Sequence, residues 1–68
     1  MAPTKRLDVV MREEIWVGQT RSGVVVASAR TKAQAVRKTA DFALSEPESV
    51  VVRIHSVWGR VQEERSYP

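Results

Sequence analysis

The chain has no cysteine, which rules out disulfides and thiolate metal sites. It has one histidine, His55, and a single imidazole makes a zinc site only with carboxylate help. No metal and no cofactor are expected. Glycine and proline are scarce, three of each, and the scattered glycines form no phosphate-cradling loop. Aromatic residues make up only 6%. The longest apolar runs, Val24-Val25-Val26-Ala27 and Val50-Val51-Val52, fall far short of the roughly 20 residues a membrane helix needs. The short basic start at residues 1–6 is not followed by the apolar core of a secretory signal. These absences predict a soluble, cytoplasmic protein without membrane contact, and a cysteine-free chain fits a reducing compartment.

What is present is ordinary for a globular protein: 43% apolar and 28% charged residues, too hydrophobic for disorder. Sixty-eight residues make one small domain, which buries only about 60% of the surface its unfolded chain exposes. Domains this small are commonly reinforced by disulfides, metals or self-association. Self-association remains, so a homodimer is expected. The net charge of +3 is unevenly spread: residues 1–40 hold eight Lys/Arg against three Asp/Glu, residues 41–68 three against five. A basic half attracts phosphates, although a merely solvated surface has the same composition.

Periodicity divides the chain. Residues 1–6 read as a flexible basic arm and residues 7–68 as a single domain. Leu7, Val9 and Met11 alternate with Asp8, Val10 and Arg12, the pattern of a half-buried strand. Glu13-Glu14 reads as a turn. Residues 15–20, IWVGQT, are a second strand rich in β-branched and aromatic residues. Arg21-Ser22-Gly23 is a turn signal, and a short third strand follows at 24–27.

The period then changes. Thr31 and Gln34 match a capping box, predicting a helix over 32–44. Ala33, Val36, Ala40, Ala43 and Leu44 form its apolar stripe, with Ala35, Thr39 and Phe42 beside it; Gln34, Arg37, Lys38 and Asp41 form the wet face. Pro47 ends the helix. Along a strand at 50–55, Val50, Val52 and Ile54 face one way and Val51, Arg53 and His55 the other. WGRVQEER reads as a turn at Trp58-Gly59 and a returning strand, with Val61 and Glu63 on one side and Arg60, Gln62 and Glu64 on the other. Its charges suit an edge strand. The expected fold is α+β: a small two-layer domain with an antiparallel sheet of three to five short strands and one helix packed on one face. The other face is left uncovered.

Several pieces of the chain resemble a known family. Trp16-Val17-Gly18, TKAQAVRKTADFA, VVVRIH and the closing GRVQEERSYP are similar to the small bacterial and phage domain-of-unknown-function family 2188. The likeness covers residues 7–68. Its most specific parts are Thr31-Lys32-x-x-Ala35 and Gly59-Arg60-Val61-Gln62-Glu63 with Tyr67-Pro68. The resemblance implies a compact strand, helix, strand fold and assigns no activity. Members often carry Asp-Gly where this chain has Trp58-Gly59. A type II turn with Gly59 at the third position would accommodate the tryptophan. A shorter similarity, to the arm-site-binding domains of phage-type integrases, lies in short strands with an early Trp before a helix opening Thr-Lys-x-x-Ala. In those domains the sheet face approaches DNA.

For function, no catalytic constellation stands out. His55 has no nearby nucleophile in an elbow or triad-like motif, and adjacent acids such as Glu13-Glu14 and Glu63-Glu64 point to opposite faces of a strand. The expectation is a non-enzymatic binding module without a small-molecule substrate. Its nucleic-acid contacts would be Arg21, Arg30, Lys32, Arg37 and Lys38, cations around a helix start that attract phosphate. The alternative is a homodimeric protein-interaction module with Trp58, Val51, Arg53 and His55 in the interface.

Overall fold

The computed structural model describes residues 5–68. Its elements are β1 (Lys5–Arg12), β2 (Ile15–Thr20), β3 (Val25–Ala29), α1 (Lys32–Leu44), β4 (Val50–His55) and β5 (Val61–Tyr67). The strands form one sheet in the order β3-β2-β1-β4-β5, with α1 across one face. This is the two-layer α+β architecture that the change of period predicts. The expectation of an antiparallel sheet holds for three of the four ladders; the central pair, β1 and β4, is parallel. The helix explains the difference. It returns from edge strand β3 across the sheet, so the next strand enters beside β1 running the same way, as a crossover connection requires.

β1 begins two residues earlier than its apolar alternation. Lys5 pairs with Val50, and its N–H donates to the Ser49 carbonyl at 3.1 Å. Its ammonium donates to Glu46 in the loop before β4, and that hydrogen bond holds the lysine proton more firmly than usual, against the opposing pull of desolvation. Lys5 and Arg6 therefore belong to the sheet. The rest of the expected arm, residues 1–4, lies outside the described residues.

Residues directly opposite in adjacent strands share a face. Leu7, Val9, Trp16, Val50, Val52 and Ile54 accordingly turn toward α1 and make the core. Trp16 is 6% exposed. Thr31 caps the helix as its spacing predicts, its hydroxyl accepting from the Gln34 N–H at 3.2 Å. The buried stripe is rotated from the expected one. Ala35, Thr39 and Ala43 are inside, whereas Ala33 is exposed and Leu44 is 59% exposed. The cause sits in β2. Gly18 leaves a pit in the sheet, and Thr39 fills it so closely that a Cβ on Gly18 would lie 2.0 Å from the Thr39 hydroxyl oxygen.

Two hairpins use one design. In residues 20–24 and again in 56–60, the first residue and the fifth pair, and a glycine stands fourth: Gly23 N–H donates to Thr20 O at 2.9 Å and Gly59 N–H to Ser56 O at 3.0 Å. The glycines have φ of 95° and 87°; the two residues before each do not have positive φ. These are type I turns closed by a bulge glycine. The type II turn expected at Trp58-Gly59 is thus replaced by one with Gly59 at the fourth position, where Trp58 needs no left-handed conformation. The β4/β5 ladder also slips by one residue between Ile54 and His55. Val61 pairs with His55 and Glu63 with Ile54, so these two lie on opposite faces, not on one side as simple alternation implies.

The third hairpin is strained. Glu13 and Glu14 have φ of 50° and 68°, the type I′ geometry that favours Asn-Gly. Left-handed backbone costs an ordinary residue about 1–2 kcal/mol. Replacing the pair by Asn-Gly (Glu13→Asn with Glu14→Gly) is expected to stabilise the domain by about 1 kcal/mol. The check is a higher denaturation midpoint at an unchanged slope.

Candidate nucleic-acid interface

Strand direction sorts the cations. β1, β3 and β4 run one way, β2 and β5 the other. The end at which β1 and β4 finish, here the upper end, therefore also carries the start of α1, the Glu13-Glu14 turn and the hairpin of residues 56–60. The Arg21 turn lies at the lower end. Of the five cations expected to act together, Arg21 thus lies at the end opposite the helix start that carries Arg30 and Lys32.

The remaining four gather around the first half of α1 but in different roles. Lys32 donates to Gln62 of β5 and lies 5.4 Å over the Trp16 ring, so it ties the helix start to the sheet. Lys38 donates to the Ser28 carbonyl at 3.1 Å and anchors the helix to edge strand β3. Arg30 and Arg37 are exposed, and neither forms an ion pair among the described residues. The first turn of α1 contains no acid. The partially positive amide end of the helix is therefore not neutralised from within.

The Lys32 contact with Gln62 brings in a group that sequence spacing alone does not place there. Gln62 stands just after the 56–60 hairpin, whose tip carries Trp58, 89% exposed, and Arg60, also exposed. The tip is fixed from several directions. Ser56 Oγ accepts from the N–H groups of Trp58 and Arg60, both at 3.2 Å, and the Ser56 N–H donates to the Arg60 carbonyl at 2.7 Å. The upper end thus holds Arg30, Lys32 and Arg60, an exposed indole, and the acidic pair Glu13-Glu14 of the adjoining turn.

Between α1 and β5 the helix leaves a groove of about 730 Å³. Val36 and Ile54 contribute apolar surface, and Lys32, Arg37, Asp41 and Glu63 are among its charged lining. Glu63 is hydrogen-bonded to Arg65, which holds its carboxyl below the usual range with a smaller contribution from Lys32. The groove's walls therefore carry both signs, and it is not a pure anion site.

On the open face of the sheet, Val51, Arg53 and His55 do lie together, as the alternative interface requires. Trp58 does not join them; it stands at the tip beyond. Arg53 donates to Glu64 at 3.0 Å. His55 is held on both ring nitrogens: Nε2 lies 3.0 Å from Asp8 Oδ1 and Nδ1 3.2 Å from the Gly59 carbonyl oxygen. Both partners are acceptors, so the doubly protonated ring donates to both and the neutral ring to one. Asp8 is 8% exposed and also faces Arg6 Nε at 3.3 Å. This imidazole links β1 to the hairpin tip.

Among the described residues, no cluster of three metal-ligating side chains occurs, and no helix is long and apolar enough to cross a membrane. Compared with known protein families, curated proteins and solved structures, the chain matches none of them.

Proposed function

We propose that this protein is a small non-enzymatic module that binds nucleic acid through its upper end. One observation carries the reading: the Lys32 contact with Gln62 sets the cation-bearing helix start beside the hairpin that displays Arg60 and an 89% exposed Trp58. Cations supply the sequence-independent part of nucleic-acid affinity by neutralising phosphates. An aromatic among them supplies a surface for bases. The likeness to family 2188 and to the integrase domains rests on the sequence pieces quoted above and adds no weight here. A phage or bacterial accessory role belongs to this proposal as well.

Binding should weaken steeply with salt. With Arg30, Lys32 and Arg60 each neutralising a phosphate, the slope of log affinity against log salt is about −2 to −3. Arg30→Gln should reduce that slope by about 1, whereas Arg21→Gln, at the opposite end, should leave affinity unchanged. The Glu13→Asn, Glu14→Gly variant should bind more tightly, because it removes two negative charges from the same end. Retention of labelled DNA and RNA across a salt series decides the matter. Absent or salt-independent binding sinks the proposal, and equal effects of Arg21 and Arg30 sink its geometry.

The homodimer reading retains the open face, where Ile15, Val25 and Val61 are large exposed apolar residues. The sheet edges are poorer candidates. β3 is bulged and tied to Lys38, and β5 is bulged and rich in charge, features that oppose strand pairing between chains. Light-scattering mass at rising concentration, run beside the binding assay, distinguishes a dimer that ignores nucleic acid.

A further inference from the structure

Resting on the nucleic-acid reading, we infer a narrower ligand: a single strand, one of whose unpaired bases stacks on Trp58. The turn itself does not require a tryptophan. Position three of a type I turn accepts most residues, and Asn, Asp and Ser are common turn formers. The 89% exposure of Trp58 means the indole adds almost nothing to the core, which is already closed by Trp16 and the valines of β4. What the fold does invest in is the rigidity of the backbone beneath it. Ser56 Oγ, the Gly59 N–H, the Ser56 N–H and the His55 ring all hold the tip. A ring presented on a pre-ordered backbone loses little entropy when a flat ligand meets it.

The surroundings choose among flat ligands. A protein anchor of this kind sits at the centre of an interface of about 800 Å² per partner, ringed by contacts that exclude water. Here the exposed apolar neighbours on the hairpin are two valines, Val57 and Val61, and charged groups flank the tip, Arg60 on the same turn and Glu13-Glu14 on the next, so the apolar surround is small for a protein anchor. The neighbouring cations Arg30, Lys32 and Arg60 complement phosphate. A duplex keeps its bases stacked on one another and offers the indole no face except at its ends or at a wedged-open step. A single strand offers both an open base face and a flexible backbone that can reach those cations.

The test uses the full chain with a labelled oligothymidylate and with a duplex of mixed sequence. The two tryptophans simplify the readout. Trp16 is buried, so quenching of emission on binding should come from Trp58. The expected result is preference for the single strand with quenched emission. Trp58→Ala should weaken binding about 10- to 100-fold with no change in the salt slope. Trp58→Phe should keep most of the affinity but lose the quenching, since only Trp16 remains to emit. If duplex is bound as well or better, or if Trp58→Ala is harmless while Arg30→Gln still weakens binding, stacking is wrong and the phosphate reading stands. If neither nucleic acid binds at low salt, both are wrong; a Trp58-dependent rise in mass would then assign the tip to a protein contact.

Discussion

Gly18→Ala is expected to destabilise the domain by about 3 kcal/mol, the upper end of the usual cost of overpacking a core. The added Cβ would lie 2.0 Å from Thr39 Oγ1 and 3.0 Å from both Thr39 carbons next to it. Neither side has an easy retreat. Gly18 is paired to Val9 on one side and Ala27 on the other, and Thr39 is fully buried on a helix anchored at both flanks by Ala35 and Ala43. A domain of this size commonly has only about 3–5 kcal/mol in reserve, so the variant should be largely unfolded near its former midpoint. Thr39→Ala should cost much less. Its hydroxyl oxygen has no hydrogen-bond partner among the described residues, so its removal breaks no bond, and about 1 kcal/mol covers the lost packing. Combined, Thr39→Ala should return more than about 1 kcal/mol to Gly18→Ala, as coupled neighbours do. Denaturant melts of the four proteins measure this cycle. Strict additivity would mean that α1 is not seated on β2 through this pair.

Gly18 also shows what can be read from sequence and what cannot. An isolated glycine inside a strand signals close approach of another backbone or a bulge, but it does not say which element approaches. The helix bounds 32–44 followed from Thr31, Gln34 and Pro47, all local signals, and the strand at 50–55 from strict alternation. The rotation of the helix did not follow, because Ala33, Ala35, Ala40 and Ala43 are equally small and their burial is decided by where the sheet has room. The parallel central pair depends on chain path, which no window of residues contains. The candidate site was legible only in part. Arg30, Lys32 and Trp58 stand out as residue types near turns and a helix start. That they share an end follows from strand direction, which also removes Arg21. Arg60 was read as one side of a strand because the slip at Gln62 is invisible without the partner strand. Asp8 was a polar residue in an alternating run, and its partner His55 is 47 positions away.

That distant pair carries the second large effect. Asp8→Ala is expected to cost about 2–3 kcal/mol, somewhat less than a fully buried ion pair, because the Arg6 side chain is 32% exposed although its Nε is buried without a hydrogen-bond partner among the described residues. The carboxylate is the one acidic group that meets both Arg6 and His55, at 3.3 and 3.0 Å. Its removal leaves two donors facing each other in a half-closed space on the sheet. Asp8→Asn keeps the shape and one acceptor oxygen but loses the charge, so it should fall between. Replacing both Asp8 and His55 by leucine should be less damaging than Asp8→Ala alone, since an apolar pair leaves no unmet donor on that ring position. Stability alone would make this only a packing result. The consequence specific to this fold is at the hairpin tip, because the ring that meets Asp8 also meets the Gly59 carbonyl at 3.2 Å. With the ring held less firmly, Trp58 should move more freely. In Asp8→Asn, assayed well below its melting temperature, single-strand affinity should then drop while the salt slope stays constant, since no phosphate contact is touched. Hydrogen exchange at the Gly59 and Arg60 amides should rise in the same variant. Unchanged exchange and affinity would show that Ser56 holds the tip by itself, and that Asp8 and His55 serve the sheet and not the site.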